Sequence, residues 1–301
     1  MRILITGGTG LIGRALCRAL SAANHHVTVL SRNPQSVAKK CGPGVSAIGD
    51  LADWRDSLHF DAVINLAGEP IIDKPWTEFR KKILWDSRVT LTRTLIDRIS
   101  AAQRKPTVLL SGSAIGRYGD RGADQLNENS PAADDFAAQL CVAWEREAAR
   151  AADCGLRVCL LRTGLVLSRD GGMLARMAPP FKVGLGTQLG NGDQWMSWIH
   201  IDDYVRAVVH LLQDNGATGP YNLTAPHPQT NRSFTAKLSK CLHRTARFAV
   251  PATILRLVLG SRAILLLGGQ KVLPQRLEET DFQFRFPDLD EALKFEFADR
   301  S

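Results

Sequence analysis

No stretch of this chain is apolar for long enough to cross a membrane. The best candidate, Ile254 to Gly269, is interrupted by Arg256 and Arg262. Neither side reaches the roughly 20 apolar residues that a spanning helix requires. A secretory leader finds no support either. Met1-Arg2 runs into Ile3-Leu4-Ile5-Thr6 and then glycines, which is too short and too glycine-rich for an apolar leader. Six cysteines occur, but none forms a Cys-x-x-Cys pair or has a histidine at zinc-ligand spacing. The sequence therefore offers no metal site and no disulfide framework. Several cysteines fall in apolar patterns where Cys acts as a small hydrophobe, and a reduced, cytoplasmic setting is the expectation. Repeats and low-complexity tracts are absent, and no segment combines low hydrophobicity with excess charge.

Charge of one sign is in modest excess. Thirty-eight Lys and Arg stand against 30 Asp and Glu, a formal charge of +8. The basic residues are dispersed, and the densest run, Arg80-Lys81-Lys82, has no aromatic platform around it. That pattern argues against a nucleic-acid surface; solvated helix faces and a small anionic ligand account for it.

What is present is alternation. With 301 residues, 45% of them hydrophobic, the chain can build one large α/β unit, or a nucleotide domain with a smaller partner. Apolar runs at 2–6, 26–30, 45–48, 61–68, 106–110 and 156–161 read as buried strands. Between them lie helical patterns from 11 to about 23, from 77 to 101 and from 135 to 152. The alternation predicts a doubly wound parallel sheet with right-handed crossovers. After Arg162 the rhythm gives way to a Gly/Pro-rich stretch. Trp198-Ile199-His200-Ile201-Asp202-Asp203 then precedes an apolar helix, with Asp202 as its expected N-cap. Pro220-Tyr221-Asn222-Leu223 reads as a further strand, and the chain is mostly helical from about 231. The expected division is a dinucleotide-binding domain over 1–165 and 195–224, with a smaller domain over 166–194 and 225–301.

The chemistry begins at the first turn. Gly7, Gly10 and Gly13 follow a strand and open a helix. Glycines so placed allow a tight turn, a close approach to a pyrophosphate, and close packing of helix on strand. Thr9, Leu11 and Ile12 complete the candidate phosphate cradle, where free helix N–H groups and the dipole favour an anion. At the end of the second strand an NAD enzyme usually carries an acid for the ribose 2′-hydroxyl. Here the residues are Ser31-Arg32-Asn33-Pro34, and the next acid is Asp50. A guanidinium grips a 2′-phosphate that a carboxylate would repel, so NADP(H) is the expected cofactor. Arg88 lies on the apolar stripe of its helix, between Leu84 and Leu91. It needs a partner there, either an internal carboxylate or a ligand oxygen.

Further motifs join these: Asn65-Leu66-Ala67-Gly68-Glu69, Ser111-Gly112-Ser113 with Tyr118-Gly119, the Trp198–Asp203 run, Gly219-Pro220-Tyr221-Asn222, and Gly268-Gly269-Gln270-Lys271-Val272-Leu273-Pro274. Over residues 1–297 their combination resembles the extended short-chain dehydrogenase/reductases. Within them it is similar to the NAD(P)-binding "epimerase family protein" group, whose C-terminal domain is of unknown function. The resemblance implies a Rossmann-type sheet of about seven strands, a smaller, mostly helical C-terminal substrate domain, and NADP(H) in the cleft between them. It maps Ser31 and Arg32 onto the 2′-phosphate and brings Leu66, Ala67 and Gly68 near the adenosine and pyrophosphate. Arg88 and Arg162 become cofactor neighbours.

One departure stands out. The superfamily's usual proton relay is Tyr-x-x-x-Lys on the helix after the fifth strand. The chain has three tyrosines, Tyr118, Tyr204 and Tyr221, and four residues beyond them stand Gly122, Val208 and Ala225. The matching helix offers Phe136 with Leu140, or Ala137 with Cys141, and neither pair relays a proton. Ser113 matches the superfamily's substrate-binding hydroxyl, with Tyr118 or His200 as an alternative proton source; a strand-end hydroxyl satisfied by backbone is the competing reading. Two functions follow: an NADP(H)-dependent oxidoreductase or epimerase on a small carbonyl or sugar-derived substrate, or an NADPH-binding regulator without turnover.

Overall fold

A computed structural model describes residues 1–298 apart from 56 and 247. The first half runs β1 (Arg2–Thr6), α1 (Leu11–Ala22), β2 (His26–Leu30), α2 (Val37–Cys41), β3 (Ser46–Ile48), β4 (Ala62–Asn65), α3 (Glu78–Trp85), α4 (Leu91–Ala101), β5 (Val108–Ala114), β6 (Gln125–Leu126) and α5 (Phe136–Ala149). It continues through β7 (Arg157–Thr163), β8 (Leu165–Ser168), α6 (Gly172–Lys182), β9 (Thr187–Leu189), β10 (Trp195–Met196), β11 (Trp198–His200), α7 (Ile201–Gln213) and β12 (Gly219–Leu223). The remainder is β13 (Gln229–Thr230), α8 (Asn231–Cys241), β14 (Phe248–Val250), α9 (Ala252–Leu259), α10 (Ile264–Leu267), β15 (Lys271–Val272), α11 (Gln275–Glu278) and α12 (Leu289–Phe297).

Seven strands form one parallel sheet in the order β12-β7-β5-β4-β1-β2-β3. Alternate residues of β1 explain why Ile3, Leu4 and Ile5 are all apolar. Ile3 and Ile5 pack with Leu16, Leu20 and Val208 under α1 and α7, while Leu4 packs with Leu95, Ile99 and Ala148 under α4 and α5. Both faces are covered, as a doubly wound sheet requires. Strand order reverses between β1 and β4, and ligands of such sheets bind beyond the carboxyl ends of the strands at that point. The Rossmann-type sheet of seven strands, with a helical C-terminal region, is what the sequence led us to expect.

Several local expectations change. The helix anticipated over 77–101 runs on from Glu78 to Ala101 but is not α-helical throughout: Asp86–Thr90 forms a π-helical turn between α3 and α4. The fifth strand extends through Ser111-Gly112-Ser113 to Ala114, so these polar residues belong to the sheet and not to a loop. Asp202 is not the N-cap of α7. His200 is, its Nδ1 accepting from the Asp202 N–H at 3.1 Å. Its Nε2 meets Glu296 Oε1 at 2.8 Å, in a fully buried pairing. The Glu296 carboxyl, pushed up by burial, is brought below its ordinary value by bonds from His200 and the Arg169 N–H. Beyond the sheet, Leu174, Phe181, Trp198, Phe234 and Leu289 form a separate core that gathers α6, α8 and α12. No helix among the described residues is long and apolar enough to cross a membrane.

Candidate active site

At the strand reversal, the loops after β1 and β4 touch. Gly7 adopts φ +70°, and a Cβ there would lie 2.6 Å from the Leu66 carbonyl. A Cβ on Gly13 would lie 2.4 Å from Gly7 O. Both glycines are required by the chain's own packing. Gly10 is different. Its backbone is extended, φ −76° and ψ 177°, and a Cβ would meet only Gly7 O, at 3.3 Å. Nothing in the protein demands glycine at this exposed position, whereas a pyrophosphate lying over the turn would. Gly10 caps α1 without a side-chain bond, so the first N–H groups of the helix, at Leu11, Ile12 and Gly13, remain available to an anion. The residues present fit a dinucleotide.

The walls of the cleft are built from local bonds. Thr6 Oγ1 donates to Asn65 Oδ1 at 2.6 Å and accepts the Ala67 N–H at 3.1 Å, which fixes Leu66-Ala67-Gly68 above the turn. At the end of β2, Ser31 Oγ accepts the Asn33 N–H. The Arg32 side chain is 94% exposed, its Nη2 3.1 Å from Glu69 Oε1. Of the two sequence alternatives for Arg88, the internal ion pair is not formed. Among the described residues no carboxylate lies within ion-pair distance. Its Nη2 donates to the Glu69 carbonyl at 2.9 Å, and its Cζ lies 5.5 Å from the Trp144 ring centre. Burial draws its pKa down, and a Cβ on Gly68 would strike the guanidinium at 2.9 Å. The π-helical turn places Arg88 against this loop, and such turns recur at functional sites.

The second cluster lies at the end of β5. Ser113 Oγ donates to Glu145 Oε1 at 2.7 Å. Arg162 grips the same carboxylate through Nε at 2.9 Å and Nη2 at 3.0 Å. Arg162 Nη1 reaches Tyr118 Oη at 2.9 Å and the Glu128 carbonyl at 2.8 Å. Tyr118 Oη in turn donates to Asn222 Oδ1 at 2.7 Å. Ser113 and Tyr118 are thus joined through Arg162, whose guanidinium is spent on internal partners. Tyr118 is fully buried, and burial pushes its phenol up despite Arg162 beside it. Its proton already belongs to Asn222. In α5, the buried Cys141, one residue beyond Leu140, has its thiol pushed up by burial to about 11. It remains a neutral thiol at physiological pH. Sequence reasoning missed Glu145, Glu128 and Asn222. Glu145 left one signal, a carboxylate four residues after Cys141 on an otherwise apolar helix face.

Glu128 carries a pH dependence. Its Oε1 accepts the N–H groups of Asn222 at 3.0 Å and Arg276 at 3.3 Å, while Oε2 has no partner among the described residues. Burial raises its pKa against those two bonds. Between the ordinary carboxylate value, about 4.3, and the raised one, the folded chain holds a proton that the unfolded chain releases. Stability therefore falls as pH rises through that window. Glu128→Gln is expected to flatten the slope, read as melting temperature across the mildly acidic range.

Comparison with known proteins agrees with this fold. Residues 3–224 match the NAD dependent epimerase/dehydratase family, and residues 250–296 match a domain of unknown function, DUF1731. The chain is 38% identical over 301 residues to the "Epimerase family protein SDR39U1 homolog, chloroplastic" of Arabidopsis thaliana, covering 98% of this chain and 86% of that protein. It is 38% identical over 296 residues to the epimerase family protein SSP1921 of Staphylococcus saprophyticus, covering 97% of each. A crystal structure of human epimerase family protein SDR39U1 with NADPH superposes with a TM-score of 0.89 at 36% identity, over 98% of both chains. From its glycine turn to β12, this chain belongs to the NAD dependent epimerase/dehydratase family.

Proposed function

We propose that this protein binds NADP(H) and acts as an oxidoreductase or epimerase on a small carbonyl or sugar-derived substrate, by a proton route other than Tyr–Lys. The observation that carries the cofactor half is the end of β2, where an exposed Arg32 stands in place of an acid. The α1 N-terminus and the turn Gly7–Gly13 hold the pyrophosphate, Leu66 to Gly68 cover it, and Arg88 stiffens that cover from below. When bound, the nicotinamide supplies hydride transfer. Ser113 is the polar group at the end of β5. Because its own proton goes to Glu145, its free lone pair suits a substrate hydroxyl better than a carbonyl. Tyr118 acts as a positioning residue for Arg162.

The test begins with cofactor titration by fluorescence. A charge-assisted bond from Arg32 to a 2′-phosphate contributes about 1.5–3 kcal/mol, roughly one to two decades in affinity. Arg32→Ala is expected to lose that preference for NADPH over NADH. A mutant that keeps the full preference rejects the assignment.

A second reading, an NADPH-binding regulator without turnover, is favoured by the closed network Ser113–Glu145–Arg162–Tyr118–Asn222, in which every ionisable group is already partnered. A positioned proton donor contributes about 10²–10⁴-fold in rate. We expect weak or no NADPH oxidation with generic aldehydes, ketones and nucleotide sugars, despite measurable cofactor binding. Turnover that Ser113→Ala abolishes supports the enzyme. Absence of turnover with every substrate, NADPH still bound, favours the regulator.

A further inference from the structure

The carboxylate of Glu69 sits among arginines. Its Oε1 holds Arg32 at 3.1 Å, and Oε2 lies 3.5 Å from Arg80 Nη1. Its backbone is clamped on both sides, the N–H donating to Ser87 Oγ at 3.1 Å and the carbonyl accepting from Arg88 at 2.9 Å. The Glu69 main chain is therefore fixed near the end of β2, and only its carboxylate is free to swing. Arg32, by contrast, is almost wholly in solvent, and Glu69 is its partner in the structure. Arg80 is buried, with Nη2 on the Pro70 carbonyl and Nε without a partner among the described residues. A carboxylate released by Arg32 has a second guanidinium waiting behind it.

We propose that Glu69 is a built-in competitor for the cofactor's 2′-phosphate, and that it limits how strongly this protein prefers NADP(H) to NAD(H). The inference rests on the NADP(H) reading above. A 2′-phosphate needs the guanidinium that Glu69 already holds, and brings a second negative charge beside that carboxylate. To bind, it displaces Glu69 toward Arg80. A ribose 2′-hydroxyl makes no such demand and can donate to the carboxylate. Glu69 therefore subtracts from the affinity of one cofactor and not the other, which is how a difference in affinities is tuned.

The experiment uses the full chain with Glu69→Gln, which keeps the shape and the bond-accepting oxygen but removes the charge. Adenosine 2′,5′-bisphosphate and 5′-AMP, titrated calorimetrically at low ionic strength, isolate the 2′-phosphate. Glu69→Gln is expected to tighten the bisphosphate about two- to five-fold and to leave 5′-AMP unchanged. Arg32→Ala runs in parallel, and if it leaves the bisphosphate affinity intact, the underlying cofactor reading fails whatever Glu69 does. If Arg32→Ala weakens the bisphosphate while Glu69→Gln leaves it equal or weaker, competition is overturned and Glu69 instead holds Arg32 in place for the phosphate. Equal tightening of both ligands also overturns the proposal, because the carboxylate then sets only the general potential of the cleft.

Discussion

Gly10→Val is expected to eliminate dinucleotide binding while the protein stays folded. The contrast with its neighbours makes the prediction sharp. A side chain on Gly7 or Gly13 would drive a Cβ to 2.6 Å or 2.4 Å from a backbone carbonyl group, and those substitutions should cost the fold itself. At Gly10 the nearest atom is Gly7 O at 3.3 Å, a contact that a shift of a few tenths of an ångström relieves. The extended backbone there suits valine, and weaker N-capping is the remaining cost. Binding is another matter. The added methyls would stand where a pyrophosphate must approach the α1 N–H groups. Losing two charge-assisted hydrogen bonds of about 1.5–3 kcal/mol each lowers affinity by about 10²-fold or more. Fluorescence titration with NADPH, beside far-UV dichroism, checks both halves. A mutant that still binds NADPH normally would mean that the phosphates do not cross this turn.

Arg162→Met is expected to destabilise the protein by about 3–5 kcal/mol, the cost of stranding a buried charge. Glu145 is 7% exposed and Arg162 4%, so neither can turn to water when its partner is lost. Arg117 lies 3.6 Å from the stranded carboxylate, too distant to replace a bidentate grip. The pair as a whole need not stabilise the fold: with both charges removed, neither Glu145 nor Arg162 is stranded, and only the part-exposed Arg117 loses this carboxylate. The double variant Glu145→Gln with Arg162→Met should therefore be markedly less destabilised than the sum of the single changes. Urea unfolding followed by far-UV dichroism measures all three. Strict additivity would show that the two side chains act independently, against the geometry.

Why parts of this molecule were legible in sequence and others not follows from the range of the forces involved. β1, β2, β4 and the glycine turn announce themselves because a strand covered on both faces must be apolar at every position, and a pyrophosphate turn must be small at fixed spacing. The family resemblance supplied the strand count. The π-helical turn at 86–90 was invisible, since one residue accommodated inside a helix leaves the apolar stripe almost unchanged. His200 as an N-cap was missed because an acid two residues later satisfied the same rule. The partners of Arg162 were out of reach for a different reason. Glu145 and Tyr118 come from α5 and the turn after β5, and no spacing rule links residues that only a completed sheet brings together. Arg88 shows the limit most clearly, because its guanidinium is met by the Leu84 and Glu69 carbonyls, the Ser87 hydroxyl and an aromatic face, acceptors that composition does not flag.

The short pairing of β6 with β15, Gln125 and Leu126 against Lys271 and Val272, bears on how the protein is made. During synthesis, residues 120–128 leave the ribosome long before the segment that completes them. Arg121 N–H waits for the Gly269 carbonyl, Leu126 O for the Leu273 N–H, and the Glu128 carboxylate for Arg276. Asn222, which receives the Tyr118 proton, is itself steadied by the Leu273 carbonyl. Since nascent chains fold from the N-terminal side, the sheet and its glycine turn can form while this wall is still open. A stalled or prematurely released chain ending shortly after β12 would thus lack Leu277 and Phe282 from the core shared by β1, α1 and α7, and would leave the polar groups of 120–128 in water. Such a product would offer chaperones and proteases an incomplete core and an open polar flank.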